Sequence, residues 1–71
     1  MNETDQNIIW LNGDRKETAA KNIRDLLVSL DLPAVSLLVE HNGLALHRDE
    51  WPERMLAGGD RIEIVRIVAG G

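Results

Sequence analysis

The chain begins with a polar, acidic stretch, Met1 to Asn7, and then its pattern changes to a short apolar run, Ile8-Ile9-Trp10-Leu11, closed by Asn12-Gly13. Asn-Gly suits the positive backbone angles of a two-residue hairpin turn, so the run is predicted to be a strand that doubles back. The return strand, about Arg15 to Thr18, is weakly marked, and Lys16 and Glu17 suit an edge, where charge discourages pairing with another chain. A helical period follows: Ile23, Leu26, Leu27 and Leu30 recur at i, i+3, i+4 and i+7, with Arg24, Asp25 and Ser29 pointing outward. Asn22 is placed to accept hydrogen bonds from the first amides of that helix, and Asp25 lies where its dipole favours negative charge. Pro33 is predicted to end it, because proline disfavours a helical Leu32 and has no amide hydrogen to donate.

Beyond the proline, Leu37, Val39 and His41 share one strand face and Leu38 and Glu40 the other, up to a second Asn-Gly turn at Asn42-Gly43. Leu44 to His47 is the returning partner. After Arg48 to Trp51, Pro52 fits the first position of a helical turn, with Trp51, Met55 and Leu56 as apolar anchors. Gly58-Gly59-Asp60 turns the chain again, and Ile62 and Ile64 alternate with Arg61, Glu63 and Arg66 in a last strand that runs to Val68. The order is hairpin, helix, hairpin, short turn, strand. One amphipathic helix between two hairpins most simply lies across one face of a mixed sheet of four to five strands, an α+β layer. That is a β-grasp arrangement if the first and last strands pair. Residues 1–71 form a single domain in this reading, with 1–7 frayed and 68–71 a flexible tail.

The 71 residues, 44% hydrophobic and 28% charged, allow one small domain and leave little room for a buried catalytic cavity. A chain of this size buries only about 60% of its unfolded surface, so nearly every aliphatic side chain must reach the core. The formal net charge of −4 and scattered basic residues argue against nucleic acid as a partner. The absence of cysteine removes a disulfide framework, a thiolate metal site and a thiol nucleophile together. No run approaches the ~20 apolar residues that span a bilayer, and Met1 to Asn7 does not resemble a secretory signal. A cytoplasmic protein without a membrane partner is expected.

Candidate chemistry within the fold is sparse. His41 and His47 lie six residues apart with Asp49 nearby, which is not a metal-ligand spacing, and they read as ordinary surface or strand-end histidines. Gly58-Gly59-Asp60 lacks the lysine and hydroxyl residue of a phosphate-cradling loop. Ser29 and Ser36 have no partnering base, so no catalytic residue, metal site or bound cofactor is expected. Trp10 is opposite in parity to Ile9 and Leu11 and therefore faces away from the helix, either lying over an aliphatic stem or a neighbouring loop or serving as a partner contact.

The last two residues carry more information. Two terminal glycines arise by chance in about one chain in two hundred. Glycine can thread a channel too narrow for other residues, and Val68 to Gly71, fully extended, would span about 14 Å. Such a tail can deliver the Gly71 carboxylate to another protein's active site. An ionised carboxylate repels nucleophiles and needs activation, which attack on the α-phosphate of ATP provides by forming an acyl-adenylate. A sulfur nucleophile would then leave a thiocarboxylate, and a lysine amine an isopeptide.

Taken in order, Leu11-Asn12-Gly13, Asp25-Leu26-Leu27, Val39-Glu40-His41-Asn42-Gly43, Arg48-Asp49-Glu50-Trp51, Gly59-Asp60-Arg61-Ile62-Glu63-Ile64 and Gly70-Gly71 resemble the sulfur carrier proteins of thiamine biosynthesis, the ThiS family. The likeness covers about Ile8 to Gly71. It implies a ubiquitin-like β-grasp with the first and last strands parallel and adjacent at the sheet centre. It also implies a carrier, not an enzyme. The Gly71 carboxyl would be adenylated by a ubiquitin-activating-enzyme-like adenylyltransferase that uses ATP, converted to a thiocarboxylate with a sulfur-donating enzyme, and spent by thiazole synthase. Gly70 and Gly71 would enter the partner's active site, while Trp10 or Arg66 would contribute to a docking face around the last strand. His47, Asp49 and His41 stand where the family often has proline, serine and an apolar residue. The small subunit of molybdopterin synthase is similar but tends to be longer and lacks the Arg48 to Trp51 pattern; a lysine-linked modifier and a β-grasp interaction module are further alternatives.

Overall fold

In the computed structural model, which describes residues 6–32 and 36–67, both Asn-Gly pairs turn the chain with positive φ at each residue: 49° and 86° at Asn12 and Gly13, 52° and 86° at Asn42 and Gly43. These are the angles of the two-residue turn whose twist matches that of the strands it joins. The first turn connects β1 (Asn7–Leu11) to β2 (Asp14–Thr18), and the second connects β3 (Leu37–His41) to β4 (Leu44–Leu46). Between the hairpins runs α1 (Ile23–Ser29); after them come a 3-10 helix (Arg48–Glu53) and β5 (Arg61–Arg66). Asn7, expected in a frayed leader, instead opens β1 opposite Thr18; the rest of that expected leader up to residue 5 lies outside the described residues.

The five strands lie in the order β2-β1-β5-β3-β4. β5 is parallel to β1, with Trp10 beside Arg61 and Leu11 beside Ile62, and antiparallel to β3 over five residue pairs. With α1 on one face of this mixed sheet, the fold is the ubiquitin-like β-grasp. The alternation of β3, buried at Leu37, Val39 and His41 and exposed at Leu38 and Glu40, sets which face the helix covers. The core holds Ile9, Ile23, Leu26, Leu27, Leu37, Val39, Leu46, Trp51, Leu56 and Ile62, all strand or helix positions of matching parity together with the two anchors Trp51 and Leu56.

Three local expectations need correction. The helix does not run on to Pro33. It ends at Ser29, and Asp31 takes a left-handed φ of 58° so that its N–H donates to Val28 O at 3.0 Å while Leu32 N–H donates to Leu27 O at 3.3 Å. This is a Schellman end, which satisfies the last carbonyls before the proline is reached; Pro33 itself lies outside the described residues. Pro52 does not start a helical turn but sits inside the 3-10 helix, which begins at Arg48, where Glu50 accepts from the His47 N–H at 2.7 Å. Met55 is not an anchor. It is 61% exposed, because residues 54–56 lie in an extended segment beside 21–23, held by Ile23 N–H to Arg54 O at 3.0 Å and Leu56 N–H to Lys21 O at 2.9 Å.

Candidate functional site

β5 is the central strand and the last described element, so the candidate site is the surface around it. Neither of its ends is left to strand pairing alone. At the start, Asn42 Oδ1 accepts from the Arg61 N–H at 2.8 Å, and the Asn42 N–H donates to Arg61 O at 2.8 Å. Further on, where β1 has already turned away, Asn12 Oδ1 accepts from the Ile64 N–H at 2.7 Å and Asn12 Nδ2 donates to Ile64 O at 3.3 Å. Both turn asparagines thus act as an added strand residue. The ladder extends to Ile67, whose N–H donates to Ser36 O at 2.7 Å.

The face of the sheet away from α1 bears the exposed side chains Ile8 and Trp10 of β1, Leu38 of β3 and Val65 of β5, with Ile67 just beyond. Leu38 and Val65 are direct cross-strand partners at the end of β5 from which the sequence continues toward Gly71. Next to them, Glu40 and Glu63 are also direct partners, like charges placed opposite one another, which costs stability in an isolated sheet. Trp10 is 42% exposed and lies between Arg15 of β2 and Arg61 of β5. Arg66 is not on this face. It shares parity with Ile62 and Ile64 and lines a groove on the helix side with Leu30 and Leu32, so Trp10 and Arg66 do not meet in one flat surface. Gly70 and Gly71 lie outside the described residues.

His41 is the last residue of β3, at a strand end as expected, but it is not an ordinary surface histidine. It is 5% exposed and takes part in a chain of hydrogen bonds from three elements: Arg54 Nε donates to its Nδ1 at 3.0 Å, and its Nε2 meets Asp60 Oδ2 at 2.7 Å. A guanidinium can only donate, so Nδ1 accepts and Nε2 carries the proton given to Asp60. The Asp60 carboxylate also accepts from the Ala57 N–H at 2.9 Å and from Asn42 Nδ2 at 3.1 Å. Burial by itself would push the Asp60 carboxyl up, but the hydrogen bonds from His41, Ala57 and Asn42 hold it below its ordinary 3.8. This network ties the β3–β4 turn to the loop preceding β5. Its sequence signal was the parity that places His41 with Leu37 and Val39 on the buried face; Asp60 and Arg54 had none.

His47 is exposed at the mouth of the 3-10 helix, away from this network. Among the described residues no group of three acidic or imidazole side chains could hold a metal ion, and no helix is long and apolar enough to cross a membrane.

The model of the ThiS family matches residues 9–71. The sulfur carrier protein ThiS of Thermus thermophilus is 30% identical over 64 residues, which cover 90% of this chain and 100% of that one. An uncharacterized protein, ycf40, of Trieres chinensis is 35% identical over 63 residues, 87% of this chain and 86% of its own. Among solved structures, the thiamine biosynthesis protein ThiS of Geobacter metallireducens superimposes with a TM-score of 0.78 at 28% identity, over 90% of this chain and 99% of that chain.

Proposed function

Because this chain belongs to the ThiS family, we propose that it is a sulfur carrier for thiazole formation in thiamine biosynthesis, with the Gly71 carboxyl as the group that is charged. The observation that carries the proposal is that the family match extends through Gly70-Gly71, which follow a central β5 held on both sides. A strand fixed by β1, β3, Asn12 and Asn42 gives the residues after it a firm origin, and glycine lets them enter a narrow channel.

In this proposal the Gly71 carboxylate attacks the α-phosphorus of ATP in an adenylyltransferase of the ubiquitin-activating type, and pyrophosphate leaves. Hydrosulfide supplied by a sulfur-donating enzyme then attacks the carbonyl carbon and displaces AMP, leaving a thiocarboxylate that thiazole synthase consumes. The chain is a cosubstrate: ATP binds to the partner, and the fold supplies presentation and recognition. The outer face supports the recognition role. Leu38, Val65 and Ile67 offer an apolar anchor beside the origin of the tail, and the Glu40–Glu63 pair is relieved by any partner that brings a cation to it.

The test is intact mass after incubation with the activating enzyme, ATP and a sulfur donor. One oxygen of the terminal carboxyl is expected to be replaced by sulfur, and the charged protein should then support thiazole formation in a reconstituted system. Adding one residue after Gly71 is expected to abolish both signals and to leave the melting temperature almost unchanged. Thiazole formation unaffected by that added residue would refute the proposal, and molybdopterin formation in its place would redirect it to the other carrier family.

A further inference from the structure

The Arg48 to Trp51 motif lies on a different surface from the outer face around β5. Between α1 and the 3-10 helix lies an apolar groove of about 220 Å³. Leu27, Val28 and Leu32 form one wall, Trp51 and Pro52 the other, and the guanidinium-bearing Arg24 and Arg48 flank it. Val28 is 67% exposed, although it belongs to a helix of only seven residues that can spare little apolar surface. Neither arginine forms an ion pair among the described residues, and no carboxylate lines the groove. The indole Nε1 of Trp51 is buried without an acceptor among the described residues.

On a chain of net charge −4, two cations without an ion-pair partner among the described residues, beside exposed apolar surface, define the chemistry of an occupant. It must bring apolar bulk and negative charge together. The volume decides its size: cofactor and drug-sized ligands fill roughly 300–1,000 Å³, whereas this groove suits one or two anchoring side chains. We propose that it docks an acidic segment of a partner protein, with a leucine- or phenylalanine-sized side chain seated between Val28 and Trp51 and flanking carboxylates paired with Arg24 and Arg48. Arginine forks bind carboxylates through two parallel hydrogen bonds, and tryptophan and arginine are the residues most often found at the energetic centres of interfaces. The groove lies on the helix side of the sheet, opposite Trp10, Leu38 and Val65, so its occupant leaves the outer face accessible and two partners can hold the chain at once. The inference does not depend on the sulfur-carrier reading, and its test uses no transfer reaction.

The probe is a blocked peptide, Asp-Glu-Leu-Phe-Glu-Asp, titrated into the isotope-labelled full chain while amide and indole N–H resonances are followed. Saturable shifts are expected at Arg24, Val28, Arg48 and the Trp51 indole, with Trp10 unmoved. Arg24→Glu combined with Arg48→Glu should weaken binding at least tenfold and transfer the preference to the same peptide with lysine in place of its acids. Val28→Ser should weaken it severalfold, and a peptide with serine in place of Leu-Phe should not bind. All these side chains except Trp51 are exposed or at the rim, so the variants should retain the native melting temperature. No saturable shift at the groove would overturn the proposal, as would equal binding of acidic and basic peptides, shifts confined to the outer face, or groove shifts that depend on protein concentration without peptide, which would identify a second copy of the chain as the occupant.

Discussion

Asn12 does two things with one side chain: it tolerates the left-handed backbone of the turn, and it completes the hydrogen bonding of β5 at Ile64. The two contributions separate by mutation. Asn12→Gly keeps the backbone angle and loses only the side-chain bonds, which should cost about 1 kcal/mol; Asn12→Ala loses both and should cost about 2 kcal/mol in urea denaturation. A similar separation applies to Asp60, whose carboxyl is held below 3.8 in the folded protein. A group depressed on folding stabilises the native state above its unfolded value and loses that contribution as the pH falls through its folded value. Stability should therefore decline from about pH 5 downward, through 3.8 and below. Asp60→Asn should be less stable than the native protein by roughly 1–3 kcal/mol at pH 7, and the difference should vanish at the acid end of a denaturation series. A constant difference across that range would remove Asp60 from the role assigned to it.

At the scale of elements, α1 shows how a short helix is bounded from both ends by backbone chemistry. Asn22 accepts the Asp25 N–H at 2.8 Å at its start, and the left-handed Asp31 closes its end. A non-glycine residue in that conformation is strained by roughly 1 kcal/mol, so Asp31→Gly should stabilise the protein by about 0.5–1 kcal/mol, read as a higher urea midpoint with unchanged slope. The 3-10 helix is bounded differently. His47 and Glu50 close its first turn by reciprocal bonds, His47 N–H to Glu50 Oε1 at 2.7 Å and Glu50 N–H to His47 O at 2.9 Å, and buried Trp51 anchors it against α1. Pro52 is tolerated there because a helix this short requires few amide donors beyond its first turn.

For the molecule as a whole, the relevant scale is total stability, which for 71 residues is of order 4–11 kcal/mol. Ile62, fully buried between β1 and β3, is expected to cost about 2–5 kcal/mol when cut to alanine, a large share of that total, read by circular dichroism as a lowered urea midpoint. That sensitivity follows from a core whose only aromatic member is Trp51 and whose bulk is aliphatic. The elements of this fold were legible along the chain because their causes are local: the period of Ile23, Leu26 and Leu27, the alternation of β3 and β5, and two Asn-Gly turns that admit one backbone geometry. Burial of His41 was half legible, since parity put it inside but nothing nearby announced Arg54 and Asp60, thirteen and nineteen residues away. The separation of Trp10 from Arg66 onto opposite faces was written in their parity relative to Ile9 and to Ile62 and Ile64, whereas the docking of Asn12 on Ile64, across 52 residues, and the groove between α1 and the 3-10 helix had no signature in the order of residues. Such features depend on which segments the folded sheet brings side by side, and a hydrophobic pattern specifies which side of each strand is buried without specifying its neighbour.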